Sequence, residues 1–134
     1  QNHNQPPYEQ DEIYLLRNLP LSGIGLFHRV GFYPDFVLWR VKSDGWTRVV
    51  FLEPHGLHHE GLNGNADKFA ALEALKTLSQ QRDFRQAQIE LDGYILTTTR
   101  IKDIPDANGR TKQQLESQYP LLWMERDYIN RILG

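Results

Sequence analysis

The chain has no cysteine, and its single methionine, Met124, lies near the C-terminus. The first absence removes any disulfide framework and any thiolate metal site, and is compatible with a reducing compartment. The second, with Gln1 as the first residue, predicts an excised or processed piece of something longer. Long apolar runs are also missing. Every such stretch meets a charge after a handful of residues, and the N-terminus is polar without a basic or apolar targeting segment, so no membrane association is expected. Nor is there a strong charge of one sign. A formal net charge of -2 excludes a broad basic surface for gripping nucleic acid, so any such binding must come from a local patch or a partner domain. Serine-hydrolase elbows, dinucleotide fingerprints and P-loops have no counterpart in the sequence.

What is present suits one compact domain. With 134 residues, 40% of them apolar and 11% aromatic, the chain can bury a core of its own. Residues 1–10 are polar, contain Pro6 and Pro7 and read as a tail or linker, which leaves 11–134 for the domain. Ile13, Leu16 and Leu19 recur at spacing three and predict a short helix stopped by Pro20. A first strand is expected over Ile24 to Val30, and hairpin strands at about 33–42 and 46–53. Asn65 is placed to cap a helix running to about Gln80, with Phe69, Leu72, Leu75 and Leu78 as its apolar stripe. Gln88 to Thr98 predicts another strand, with Gly93 as a bulge. Turn residues Pro105, Asp106, Asn108 and Gly109 precede one or two closing helices, the last starting near Pro120 and carrying Leu122, Ile129 and Leu133. The expected class is α/β, a mixed sheet of about four to five strands flanked by helices.

The hairpin carries the chemistry. Val37 to Trp39 and Val49 to Leu52 are unbroken apolar stretches, with the turn residues Ser43, Asp44 and Gly45 between them. Counting outward from a three-residue loop pairs Lys42 with Trp46, Val41 with Thr47, Trp39 with Val49, Val37 with Phe51 and Asp35 with Glu53. Two carboxylates then face each other, their Cβ atoms about 4.5 to 5.5 Å apart, an arrangement that calls for a compensating cation. A divalent ion with oxygen ligands is the natural candidate. Pro54 cannot donate to a ladder, so the strand is expected to leave its neighbour beside Glu53 and open a cleft.

Pro34 and Asp35, then Glu53, Pro54 and His55, resemble the PD-(D/E)xK nuclease superfamily, with histidine in place of the usual lysine. The stretches FYPDFVLW and VVFLEPHGLHH look most like the nuclease domains at the C-terminal end of DEAD/DEAH helicases and type III restriction subunits. The resemblance covers roughly residues 31–80. It implies a restriction-endonuclease-like sandwich that hydrolyses phosphodiester bonds in DNA rather than RNA, as the cutting module of a helicase, restriction or defence protein in a bacterial or archaeal cytoplasm. It also implies Mg²⁺, or Mn²⁺, held by Asp35, Glu53 and the backbone carbonyl of Pro54, and products with 5′-phosphate and 3′-hydroxyl ends. Paired cuts in duplex DNA need two active sites, which a homodimer would supply, although no dimer face is legible.

Other residues are open to two accounts. His55 points to the face of Glu53 if the strand continues, and three roles stay open for it: general base, additional metal ligand, or relic of a site that has lost activity. Lys68 falls in the first helical turn, where the macrodipole disfavours a cation unless an anion is near. It would reach a phosphate from there, or else pair with Asp67 or Glu73 in solvent. Glu12, with Glu9 and Asp11 as competitors, would be an upstream acid for a second metal or a water, or a plain surface acid. The cluster His55, His58, His59, with Glu53 or Glu60, admits a zinc site, but its glycine-flanked loop fixes no ligand face. Three functions follow: a metal-dependent nuclease, an inactive nuclease-like module that binds nucleic acid or protein, and a zinc hydrolase, which predicts stoichiometric zinc in the purified protein.

Overall fold

The computed structural model describes residues 11–17, 32–125 and 127–134. The expected tail over 1–10 with Glu9, and the expected strand over Ile24 to Val30, lie outside these residues. Five strands are formed: β1 (Glu12–Arg17), β2 (Phe36–Val41), β3 (Thr47–Pro54), β4 (Ile89–Thr97) and β5 (Leu121–Trp123). The α-helices among the described residues are α1 (Ala66–Ser79), α2 (Arg82–Gln86), α3 (Lys112–Gln118) and α4 (Tyr128–Leu133).

The strands stand in sequence order in one mixed sheet. β1, β2 and β3 are antiparallel neighbours, whereas β3, β4 and β5 run parallel. Parallel neighbours need a crossover, which α1 and α2 provide before β4 and α3 before β5. Strand alternation sorts the core into two layers. Val37, Val49, Phe51, Leu91 and Ile95 meet Phe69, Leu72 and Leu75 of α1 and Leu115 of α3. On the other face Leu38, Val50, Leu52, Leu96 and Leu122 meet Ile132 and Leu133 of α4. The expected α/β class and mixed sheet of about four to five strands flanked by helices are therefore present, with five strands among the described residues. Among the described residues no helix is long and apolar enough to cross a membrane.

Three local expectations are corrected. The helix predicted from Asp11 to Leu19 is a strand over Glu12–Arg17, paired with β2 along its whole length. In a strand Ile13 and Leu16 fall on opposite faces, so their spacing of three marks no stripe. The helix predicted from Pro120 begins only at Tyr128, because Leu121, Leu122 and Trp123 form a buried strand beside β4. A short apolar run of this kind has no periodicity to distinguish it from a helix. Gly93 is not a bulge, since β3 and β4 keep an unbroken register through the Phe51 and Gly93 pair. Its role is to let α1 approach. A Cβ there would lie 2.7 Å from Leu72 Cδ2 and 2.8 Å from Leu75 Cδ1, both in the sealed core. Gly93→Ala is expected to cost about 1–3 kcal/mol by overpacking, read from the denaturation midpoint. An unchanged midpoint would show that the helix yields without cost.

Polar anchors hold the second layer. Arg40 and Arg48 are ladder partners, each 5% exposed. Both reach the carbonyl end of α4: an Nη1 N–H of Arg40 donates to Leu133 O at 2.7 Å and Gly134 O at 3.0 Å, and Arg48 Nε–H donates to Ile132 O at 2.8 Å. A helix C-terminus favours cations through its unsatisfied carbonyls and dipole. Acids complete the arrangement, Asp11 on Arg40 at 2.5 Å, Glu90 and Asp92 on Arg48 at 2.6 and 3.1 Å.

Candidate active site

The turn sets everything that follows. Lys42 N–H donates to Trp46 O at 2.8 Å, Gly45 N–H donates to Lys42 O at 3.1 Å, and Gly45 takes a φ of 95° that a side chain would resist. Ser43, Asp44 and Gly45 are thus the loop, and the ladder runs as counted: Val41 with Thr47, Trp39 with Val49, Val37 with Phe51. Its last pair is Phe36 with Leu52, which leaves Asp35 and Glu53 as the next opposed positions.

Backbone polarity says how closely these two meet. Thr47 and His55 direct their N–H groups to Gln88 O and Leu96 O, on the β4 side. Successive residues alternate, so the odd positions of β3 bond toward β4 and the even ones toward β2. Continued one step, this alternation would make Asp35 and Glu53 a non-hydrogen-bonded pair, but the ladder ends at Phe36 and Asp35 is a bend just outside β2. The structure adds a specific link, as Asp35 N–H donates to Glu53 Oε1 at 3.0 Å. The same alternation turns the Pro54 carbonyl toward the gap β2 leaves. The expected departure at Pro54 is one-sided, because β3 leaves β2 there but stays paired with β4 through Leu96.

Glu53 is half-buried, and its carboxyl is pushed above the ordinary range, first by burial and then by the Asp35 charge. The Asp35 N–H and Lys68 oppose the shift without cancelling it. Lys68, in the first turn of α1, reaches this end of the sheet. Its Nζ lies 3.5 Å from His55 Nε2 and 5.8 Å from the centroid of the Phe32 ring. Burial and then the Lys68 ammonium hold His55 below its usual value, against the Glu60 carboxylate. An ammonium cannot accept a hydrogen bond, so His55 presents an unprotonated Nε2 to it.

Asn65 stands at the head of α1 but does not cap it. Its Nδ2 donates to Gly61 O at 2.7 Å, and its Oδ1 is buried without a hydrogen-bond partner. The loop ahead of α1 is fastened instead by Asp106, which accepts from Leu62 and Asn63 N–H, both at 2.8 Å. These bonds outweigh burial and hold its carboxyl below the ordinary value. The sequence marks Asp106 only as a turn residue; an acid between proline and glycine could have been tested as an anchor for a distant loop.

Asp35, Glu53, Pro54, His55 and Lys68 thus share one end of the sheet. Glu12 does not. It pairs with Val41, at the turn end of the hairpin, about 20 Å of strand from Asp35, and accepts from Tyr14 Oη at 2.7 Å. As β1 runs antiparallel to β2, its first residue is carried away from the acids. Among the described residues no three His, Cys, Asp or Glu side chains form a metal-holding group, so the zinc tetrahedron is not assembled there. His58 and His59 contact each other instead, with ring centroids 4.0 Å apart.

Asp35 lies close enough for its charge to raise the Glu53 carboxyl, and its N–H bonds that carboxyl, so a cation bound beside them would favour the ionised Glu53. Comparison with family models, with curated proteins and with solved structures found no match to this chain.

Proposed function

We propose that this chain is a restriction-endonuclease-like nuclease domain, dependent on Mg²⁺ or Mn²⁺, that cuts DNA in preference to RNA as the cutting module of a larger helicase, restriction or defence protein. The observation that carries the proposal is the opposition of Asp35 and Glu53 on one sheet face, with Lys68 and His55 beside them. A divalent ion held by Asp35, Glu53 and the Pro54 carbonyl would supply acidity to water and neutralise charge on a phosphate. Lys68 is a half-buried cation close enough to Glu53 to act on it, and a phosphate entering the cleft competes for its ammonium. As Lys68 turns to the phosphate, His55 Nε2 loses its donor and becomes free to take the proton of the attacking water. The positive charge expected of the family's lysine would then come from Lys68, and the base from His55.

A non-cutting module is the second reading, favoured by one observation. His55 is held neutral at the position where the pattern has a fixed cation. It predicts DNA binding without cleavage in either metal.

The test incubates the full chain with plasmid and single-stranded DNA in Mg²⁺, Mn²⁺ and EDTA, beside Asp35→Ala. The nuclease proposal expects cleavage that EDTA stops and the variant lacks. Cleavage undiminished in Asp35→Ala would refute the assignment, and binding without cleavage would favour the second reading.

A further inference from the structure

Just past the ends of β3 and β4 lies an open pocket of about 590 Å³, lined by Gly56, His58, Thr98, Thr99, Arg100 and Asp103. It begins one residue beyond His55, at the carboxyl ends of two parallel strands, where open α/β sheets present ligand crevices. We propose that it binds a backbone phosphate of the nucleic acid flanking the bond to be cut, with Arg100 as its principal contact. This deepens the nuclease reading and rests on it.

Three features support a phosphate. Arg100 is held by its Nε, which donates to Asp103 Oδ2 at 2.9 Å, leaving the two terminal amino groups of the guanidinium for a forked contact. The wall beside it is fixed: Thr99 Oγ1 accepts from Leu57 N–H at 3.0 Å, Thr99 N–H donates to Thr97 Oγ1 at 3.2 Å, and Thr99 O accepts from Trp123 Nε1 at 2.7 Å. A threonine hydroxyl, Thr98, is exposed on that wall. Gly56 leaves space on the opposite side, where a Cβ would come within 3.1 Å of the His58 ring. The pocket therefore combines a steered guanidinium, a hydroxyl, an imidazole and room for the chain, beginning three residues beyond Glu53.

The test measures binding of a fluorescent single-stranded oligonucleotide by anisotropy, in EDTA, over a series of salt concentrations. Inorganic phosphate serves as competitor. Arg100→Ala is expected to weaken binding about tenfold and to lower the slope of log affinity against log salt by about 0.7, one phosphate contact. Its side chain is 70% exposed, so the fold should be unaffected, and an unchanged melting temperature confirms this. Gly56→Ala, which displaces His58 and leaves Arg100 in place, is expected to weaken binding less. Equal affinity and slope for Arg100→Ala and the original chain would overturn the subsite, while Mg²⁺-dependent cleavage in both would leave the nuclease reading standing. Neither binding nor cleavage by the original chain would overturn both. Arg100-dependent stabilisation by inorganic phosphate without oligonucleotide binding would reject the nucleic acid as ligand.

Discussion

Arg48→Ala is expected to destabilise the protein by about 3–5 kcal/mol, the cost of stranding a buried charge partner. For a domain of this size that is a fall of roughly 10–20 °C in melting temperature. Arg48 is 5% exposed and joins three elements, donating to Ile132 O on α4 and to Glu90 and Asp92 on β4. Glu90 keeps 42% side-chain exposure and can return to water, but Asp92 keeps only 12%. The loss therefore concentrates on Asp92 and on the Ile132 carbonyl, since Arg40 still holds the carbonyls of Leu133 and Gly134. Removing Asp92 as well should recover part of it, and a double-mutant cycle would give a coupling of about 0.5–3 kcal/mol. A single-variant loss below about 1 kcal/mol would mean that water replaces the guanidinium.

Glu53→Gln should part stability from cleavage. The folded state raises the Glu53 carboxyl above its ordinary value, so its proton is bound more tightly folded than unfolded. The associated stability is complete below the ordinary glutamate range and is lost as pH rises through the raised value. At pH 7 the ionised side chain is thus a burden on the metal-free protein. Glutamine keeps an oxygen for the Asp35 N–H while removing the charge that burial and Asp35 oppose. The variant is expected to melt higher than the original chain at pH 7, with the difference closing in acid. Cleavage should fall by at least about 100-fold, since loss of even an outer partner of a metal costs 10- to 100-fold. Mg²⁺ at about 100 times its dissociation constant would stabilise the original chain by about 2.7 kcal/mol and leave the variant unmoved. A variant that melts lower and still cuts would contradict both halves of the argument.

The acid pair was legible because a tight turn fixes register by counting: once Ser43 to Gly45 is the loop, Asp35 can oppose only Glu53. The α1 stripe was legible because Phe69, Leu72 and Leu75 repeat over 14 residues. β1 was not, because all six of its residues are exposed and neither face imposes a period. Gly93 shows a different limit. A glycine in a strand signals either a bulge or a close approach, and only the position of α1 decides between them. The same count that opposes the two acids also opposes Arg40 and Arg48, a second like-charged pair that implies buried acids nearby. Which acids, and that a helix end would join them, depends on chain many residues away.

Sheet borders in natural proteins are ordinarily guarded by a lysine, a proline or a kink. β1 carries charge only at its two ends, Glu12 and Arg17, while Ile13, Tyr14, Leu15 and Leu16 between them are 42 to 60% exposed. Among the described residues no strand pairs with the outer side of β1, so Ile13 to Leu16 form an apolar rim along which another extended segment could add to the sheet.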